Sequence, residues 1–298
     1  MEHVDSGDHG RQGLQDIQEA LRVSYDPRTS NATRQSTLQY LNDLKRHADA
    51  PQYGLHFASD PLQPPYARHF GLSLLEISIR YRWDEHSEEQ AAILQRWVIS
   101  LAQQITPNDP PYLRNKIAAL WAEISKRAWA STWMDMDDCL AKLWDYSDEQ
   151  KAMTYRLLVL SILETLSDDI CVREDPVAML RQEKLGQAIN EIMIPQDLFK
   201  AHLETRQTAQ DVRYTHEGWL SRICSFLASL AQMQGDGSDR IIACTLRALD
   251  SLKPTVSWIS LQALSETHCV DHLLDLMSRG GVMVQTVSVF HASMQLFS

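Results

Sequence analysis

Tyr112–Asp145 reads YLRNKIAALWAEISKRAWASTWMDMDDCLAKLWD and places four tryptophans within 34 residues. Ile117, Leu120, Trp121, Ile124 and Ala128 follow the i, i+3, i+4, i+7 rule and form one apolar stripe of an α-helix. Asn115, Glu123 and Lys126 fall on its other side. A break at Trp129–Thr132 interrupts the pattern, and Met136, Leu140, Leu143 and Trp144 open a second stripe. Two helices joined by a short corner make an αα-hairpin.

The same unit recurs. Leu94, Trp97, Val98, Leu101 and Ile105 make a stripe, as do Leu185, Ala188, Ile189 and Ile192, and again Leu220, Ile223, Cys224, Leu227, Leu230 and Ala231. Ser87–Gln90 (SEEQ) and Ser147–Gln150 (SDEQ) have the capping-box form, a hydroxyl at the N-cap and Gln three residues on. The step at Asp26-Pro27 and the run Thr29–Asn31 separate a first helix at 13–25 from a second at 31–47. Pro51, Pro61–Pro65, Pro107–Pro111, the turn-like Gly235–Ser238 and Pro254 punctuate the rest, while Leu203–His216 reads as a loop or an extended helix end. These signals predict helix pairs at 14–47, 51–84, 88–128, 132–168, 176–232 and 239–277, with a partial unit after 281. Most steps are about 35–45 residues, the period of HEAT-like two-helix repeats. The predicted fold is all-α, a right-handed α-solenoid of HEAT-like helical-hairpin repeats. A flexible N-terminus spans 1–12 and a single array without an internal domain boundary spans 13–298.

Such an array explains the tryptophans. Each hairpin buries apolar surface on its partner helix and on the neighbouring repeats, and a large rigid ring fills the wide corner between them. A base-stacking platform would interleave exposed aromatics with Lys or Arg; here the aromatics lie inside apolar stripes, so Trp121, Trp129 and Trp133 read as packing. A terminal repeat needs a polar outer face, yet residues 282–298 (VMVQTVSVFHASMQLFS) are apolar, which predicts the N-terminal portion of a longer protein.

Bulk properties narrow the function. The 298 residues carry 39 acidic against 28 basic side chains, a formal charge of −11, which disfavours a mainly phosphate-binding surface and suits basic partners. MEHVDSGDHGRQG has no apolar signal-peptide core, and no run approaches the ~18 apolar residues of a membrane span. Cys139, Cys171, Cys224, Cys244 and Cys269 form no CxxC pair and read as free thiols of a reducing compartment.

No motif for chemistry emerges. Asp135, Asp137 and Asp138 are placed to complement the positive end of a helix dipole rather than to hold a metal. The histidines include no HExxH. Cys171, or Cys269 with His268 and His272, makes a poor nucleophile–base pair, because adjacent helical residues point in different directions. Neither a Walker loop nor GxGxxG is present. The expectation is a protein that is not an enzyme and needs no cofactor or metal.

Two stretches carry a resemblance. HFGLSLLEISIRYRW (His69–Trp83), followed by YLRNKIAALWAEISKRAWASTWMDMDD (Tyr112–Asp138), resembles the exportin-type N-terminal region of the importin-β superfamily. The shared pattern is a helix ending in Arg-Trp, then a helix ending in Lys-Arg-x-Trp, a second Trp and an acidic turn. DPRTSN (Asp26–Asn31) before Arg34–Leu44 looks like that family's first repeat, and LLVLSILETLSDD (Leu157–Asp169) is similar to a helix of the exportin-5 branch and its fungal counterparts. The match is best over 14–170. WMDM stands where the family usually has Trp-Pro-x-Met, which leaves this corner less rigid.

The resemblance implies a nuclear export receptor, a karyopherin shuttling between nucleus and cytoplasm through nuclear pores. Its implied partners are the GTPase Ran in its GTP form, protein cargo (structured RNA cargo being the alternative) and Phe-Gly nucleoporins. In that family the inner (B) helices of the first repeats receive Ran, which here means roughly 31–47, 65–83 and 112–128. The sides of these helices away from the stripes offer Gln39, Asp43, Arg68, Glu76, Arg80, Asn115, Glu123 and Lys126 as candidate contacts, with Arg80 and Glu123 foremost. The competing expectation is a HEAT-repeat scaffold without Ran dependence.

Overall fold

The computed structural model describes residues 6–206, 211–233, 239–279 and 283–294. Among them every regular element is helical: α1 (Ser6–Tyr25), α2 (Asn31–Leu44), α3 (Ala50–Ser59), α4 (Pro65–Tyr81), α5 (Glu88–Gln104), α6 (Pro111–Ala128), α7 (Met136–Trp144), α8 (Glu149–Cys171), α9 (Pro176–Met179), α10 (Gln182–Met193), α11 (Gln196–Thr205), α12 (Trp219–Met233), α13 (Asp239–Thr255), α14 (Leu261–Glu266), α15 (Cys269–Arg279) and α16 (Met283–Met294). This is the all-α class of paired-helix repeats expected of a HEAT-type solenoid. The turn expected at Gly235–Ser238 lies outside the described residues. Two compact units emerge. The first holds residues up to 104 with 109–120; the second holds 105–108 and the residues from 121 onward.

In the first unit α1 packs on α2 and α3 on α4. The DPRTSN turn works through its side chains. Asp26 Oδ1 accepts from Arg28 N at 2.9 Å, and Ser30 Oγ caps α2 by accepting from Thr33 N at 3.2 Å. Ile17, Leu21, Leu41, Phe57 and Ala67 form the core, flanked by Tyr53, Tyr66 and Phe70. The α3–α4 crossing rests on two glycines: a Cβ at Gly71 would lie 2.6 Å from Gly54 O, and one at Gly54 would lie 2.9 Å from Gly71 O. Only hydrogen fits there, so the two backbones approach directly. At α5 the predicted capping box forms in full, with Gln90 N donating to Ser87 Oγ (3.3 Å) and Ser87 N to Gln90 Oε1 (2.9 Å).

Local boundaries differ in places. α1 begins at Ser6 rather than 13, and α2 ends at Leu44 rather than 47. The polar residues before Gly13 give no apolar period from which a helix could be read. At the second proposed capping box the cap is Asp148 and not Ser147: its Oδ1 accepts from Gln150 N at 2.9 Å. A carboxylate one residue on offers a stronger acceptor to the same orphan donors.

The second unit corrects the repeat frame. α7 packs on α8, α12 on α13 and α15 on α16; α8, α13 and α16 also stack in succession, as do α12 and α15. The hairpin is therefore α12–α13 (residues 219–255), not the pairs expected at 176–232 and 239–277. α9, α10 and α11 come between α8 and α12 in the chain, with α10 packed against both. A stripe such as Leu185–Ile192 shows that a helix is buried, but not which helix buries it.

The corner of the α6–α7 hairpin is filled as predicted. Trp121, Trp129 and Trp133 are at most 1% exposed, and the Trp121 and Trp133 rings lie 5.2 Å apart. Ala130 adopts a left-handed φ of 58°. This lets the Ala128 carbonyl accept from Ser131, Thr132 and Trp133 N at 3.0–3.1 Å, which closes the end of α6.

Candidate functional site

α2 is the least covered of the longer helices in the first unit: Leu41 is its one buried residue. Beside it a groove of about 680 Å³ opens between α2 and α4, with α1 contributing one wall. Leu21, Leu38, Leu41 and Phe70 supply apolar surface, and Tyr25 stacks on Tyr66 with centroids 4.3 Å apart. Gln35, Gln39, Asn42 and Lys45 supply polar groups, and no carboxylate lines the groove in this acidic chain. Leu38 is 51% exposed and Tyr25 60%. An open apolar groove edged by amides suits a protein partner that inserts a side chain and pairs its backbone with the edge.

The eight predicted contact residues divide sharply. Gln39 and Asp43 are exposed on α2 and joined by a 2.9 Å hydrogen bond; Arg80 and Asn115 are exposed on α4 and α6. Arg80 Nη1 stands 3.5 Å from Glu76 Oε1, and its guanidinium lies 5.8 Å from the Tyr81 ring centre. Arg68 and Glu76 are committed within the unit. Arg68 forms a largely buried ion pair with Asp109, and Glu76 pairs with Lys116. These contacts tie α4 to the start of α6 and to the loop before it.

Glu123 and Lys126 were expected on a solvent side but are buried, 8% and 1% exposed. Lys126 Nζ reaches Glu123 at 3.0 Å, Asp169 at 2.8 Å and Asp175 at 3.1 Å, while Arg127 holds Glu123 at 2.7 Å. Arg181 caps the same helix end by donating to Lys126 O (3.0 Å) and Trp129 O (2.5 Å). The physical reason is that a helix inside an array has more than one covered side: away from its stripe, the end of α6 meets α8 and the segment around α9. Burial opposes the charge on Lys126. Hydrogen bonds and attraction from Asp169 and Glu123 outweigh it, so the ammonium titrates above its ordinary value. Burial also raises Asp169 despite Lys126.

Sequence reading missed two features. The groove itself depends on how α1, α2 and α4 meet, and its one sequence trace is Leu38, an apolar residue near the single buried position Leu41. Asp137 is the other. Expected to complement a helix dipole, it is fully buried and accepts from Tyr214 N (2.6 Å), Thr215 N (2.8 Å) and Trp219 Nε1 (2.5 Å). Burial raises its pKa, against those three hydrogen bonds. Asp138 keeps the simpler role, pairing with Lys142 at 2.6 Å. Among the described residues no group of three or more His, Cys, Asp or Glu could hold a metal ion, and no helix is long and apolar enough to cross a membrane.

Comparison with known proteins agrees with the helical-repeat fold. Residues 37–123 match the importin-beta N-terminal domain, and residues 110–211 match the exportin 1-like protein family. The chain therefore belongs to the importin-β superfamily of helical-repeat proteins. Within it, the chain is similar to proteins of the exportin-5 type. It is 25% identical to Protein MSN5 of Saccharomyces cerevisiae over 291 residues, covering 93% of this chain and 23% of that protein. Exportin-5 of Dictyostelium discoideum is 27% identical over 154 residues (52% of this chain, 13% of that protein), and exportin-5 of Mus musculus 23% over 272 (86% and 20%). The chain spans less than a quarter of the length of these relatives.

Proposed function

We propose that this chain forms the GTPase-engaging portion of a nuclear export receptor, binding Ran in its GTP form while protein cargo is carried through the nuclear pore. The observation that carries the reading is the open groove along α2 and α4, two of the helices to which the family resemblance assigns Ran. Gln39 lines the groove; Asp43, Arg80 and Asn115 add exposed polar groups on α2, α4 and α6 outside it; Arg68 and Glu76 position α4 and α6; Glu123 and Lys126 hold the end of α6 from inside. The excess of acidic residues suits basic surfaces on partners and favours protein over structured RNA as cargo. Phe-Gly nucleoporins would meet the outer helices, and the receptor would shuttle between nucleus and cytoplasm without catalysing a reaction.

The test is binding of purified Ran, locked in its GTP form or loaded with GDP, to the full-length receptor and to this chain. Preference for the GTP form, reduced by substitutions in the groove, supports the reading. Equal affinity for both forms overturns it and leaves a HEAT-repeat scaffold.

A further inference from the structure

The second unit holds a smaller surface cavity of about 290 Å³, lined from the end of α7, from α8 and from α12. Two guanidinium groups line it, and they are held differently. Arg222 lies 5.3 Å from the Trp219 ring centre, 3.0 Å from an Asp145 oxygen and 4.0 Å from Glu217. Arg156 stands 5.6 Å from the Trp144 ring centre and 5.2 Å from that of Phe226. Its Nε reaches only the Trp144 carbonyl, at 3.4 Å, and no carboxylate among the described residues pairs with it. Rings beside a guanidinium fix its plane and reduce its hydration, while its in-plane N–H donors remain available to a planar two-oxygen acceptor. Ser225 adds an exposed hydroxyl to the same cavity.

We propose that this cavity binds a carboxylate, the Asp or Glu side chain of a bound protein, with Arg156 as the bidentate partner and Ser225 as a second donor. The local charges favour a single carboxylate over a polyanion. Asp145 and Glu217 both face Arg222, which leaves Arg156 for one added negative charge, whereas a nucleic-acid backbone would meet the two carboxylates. The volume also suits one side chain. That the guest comes from a protein rests on the receptor reading above; the carboxylate preference rests on the cavity alone.

Glutarate and its uncharged counterpart glutaramide can be titrated into the full chain at matched ionic strength, with arginine Nε–H and backbone N–H resonances followed by NMR. The expected result is a saturable shift at Arg156 and Ser225 with glutarate only. It should be abolished in Arg156→Gln, weakened about tenfold in Arg156→Lys, where the charge stays but the fork is lost, and unchanged in Arg46→Gln. A linear response like that of exposed Arg28 and Arg46, or an equal response to glutaramide, overturns the proposal. Should Arg156→Gln fail to fold, the wild-type titration against glutaramide and the Arg156→Lys comparison decide it. Because no GTPase or cargo is in the experiment, its failure is distinct from failure of the transport reading.

Discussion

Asp137 on α7 and Trp219 on α12 are joined by a 2.5 Å hydrogen bond from the indole Nε1 to carboxylate Oδ1, and both side chains are fully buried. The other oxygen of Asp137 accepts the backbone N–H groups of Tyr214 and Thr215. One carboxylate therefore fixes both the segment entering α12 and the helix itself. Gly218 completes this entry: with φ at +83°, a Cβ there would lie 2.1 Å from Ile194 O.

Asp137→Ala would leave three buried donors unpaired, each costing about 1–3 kcal/mol. We expect a loss of about 3 kcal/mol or more, with Asp137→Asn intermediate because its amide oxygen still accepts. Urea denaturation followed by tryptophan emission measures it. A midpoint unchanged in Asp137→Ala would mean that water replaces the carboxylate at no cost.

The Gly54–Gly71 crossing makes a second prediction. Gly71→Ala places a methyl against backbone, which cannot rotate away, so α3 and α4 must separate at a cost of about 1–3 kcal/mol. Gly186→Ala is the control, since nothing lies within 4 Å of a Cβ there; it should be neutral or slightly stabilising. Thermal melts showing the two variants alike would contradict the close approach.

Much of this was legible in sequence, and what was not has a common cause. Trp121 lies in a five-residue stripe, and its burial followed from spacing alone. We expect Trp121→Ala to cost about 3–5 kcal/mol, with any loss of partner binding following the loss of folded protein in thermal melts. The α5 capping box was equally readable, because it is complete within four residues. Lys126 and Asp137 were not, since their partners Asp169, Asp175, Tyr214 and Trp219 come from distant parts of the chain. The α12–α13 pairing was missed for the same reason: periodicity reports that a face is buried, whereas the partner is chosen by the assembled array.

His86 gives the first unit a pH dependence. Its ring shares a 2.7 Å hydrogen bond with Ser78 Oγ. Burial, aided by Arg82, depresses its pKa below the ordinary 6.5. The unfolded chain then binds the proton more readily than the folded one, so this contribution is intact above 6.5 and is lost as pH falls through the folded value. Burial and Lys116 shift His69 in the same direction. Denaturation midpoints should fall between pH 7 and 5, and His86→Gln should reduce that slope. An identical slope in the variant would assign the effect elsewhere.

The last prediction concerns the groove and the exposed charges of α2 and α4. Asp43 and Arg80 are exposed, and neither belongs to the buried network around Lys126. Asp43→Lys with Arg80→Glu should therefore leave the melting temperature nearly unchanged, as surface substitutions usually do. Both should weaken binding of Ran in its GTP form. Reversal of exposed charges acts mainly on the association rate, and the difference from wild type should shrink as salt rises past the ~10 Å screening length of 0.1 M. Leu38→Ala removes apolar contact from the groove itself, so its effect should fall on dissociation and persist in salt. Glu123→Lys is the instructive contrast: it disrupts the buried pairing with Lys126 and Arg127, so it should lower stability by about 3–5 kcal/mol, the cost of an unpaired buried charge. Surface plasmon resonance and thermal melts separate these outcomes. If Asp43→Lys, Arg80→Glu and Leu38→Ala all bind as wild type does, Ran uses neither the α2–α4 groove nor the exposed charges of these helices.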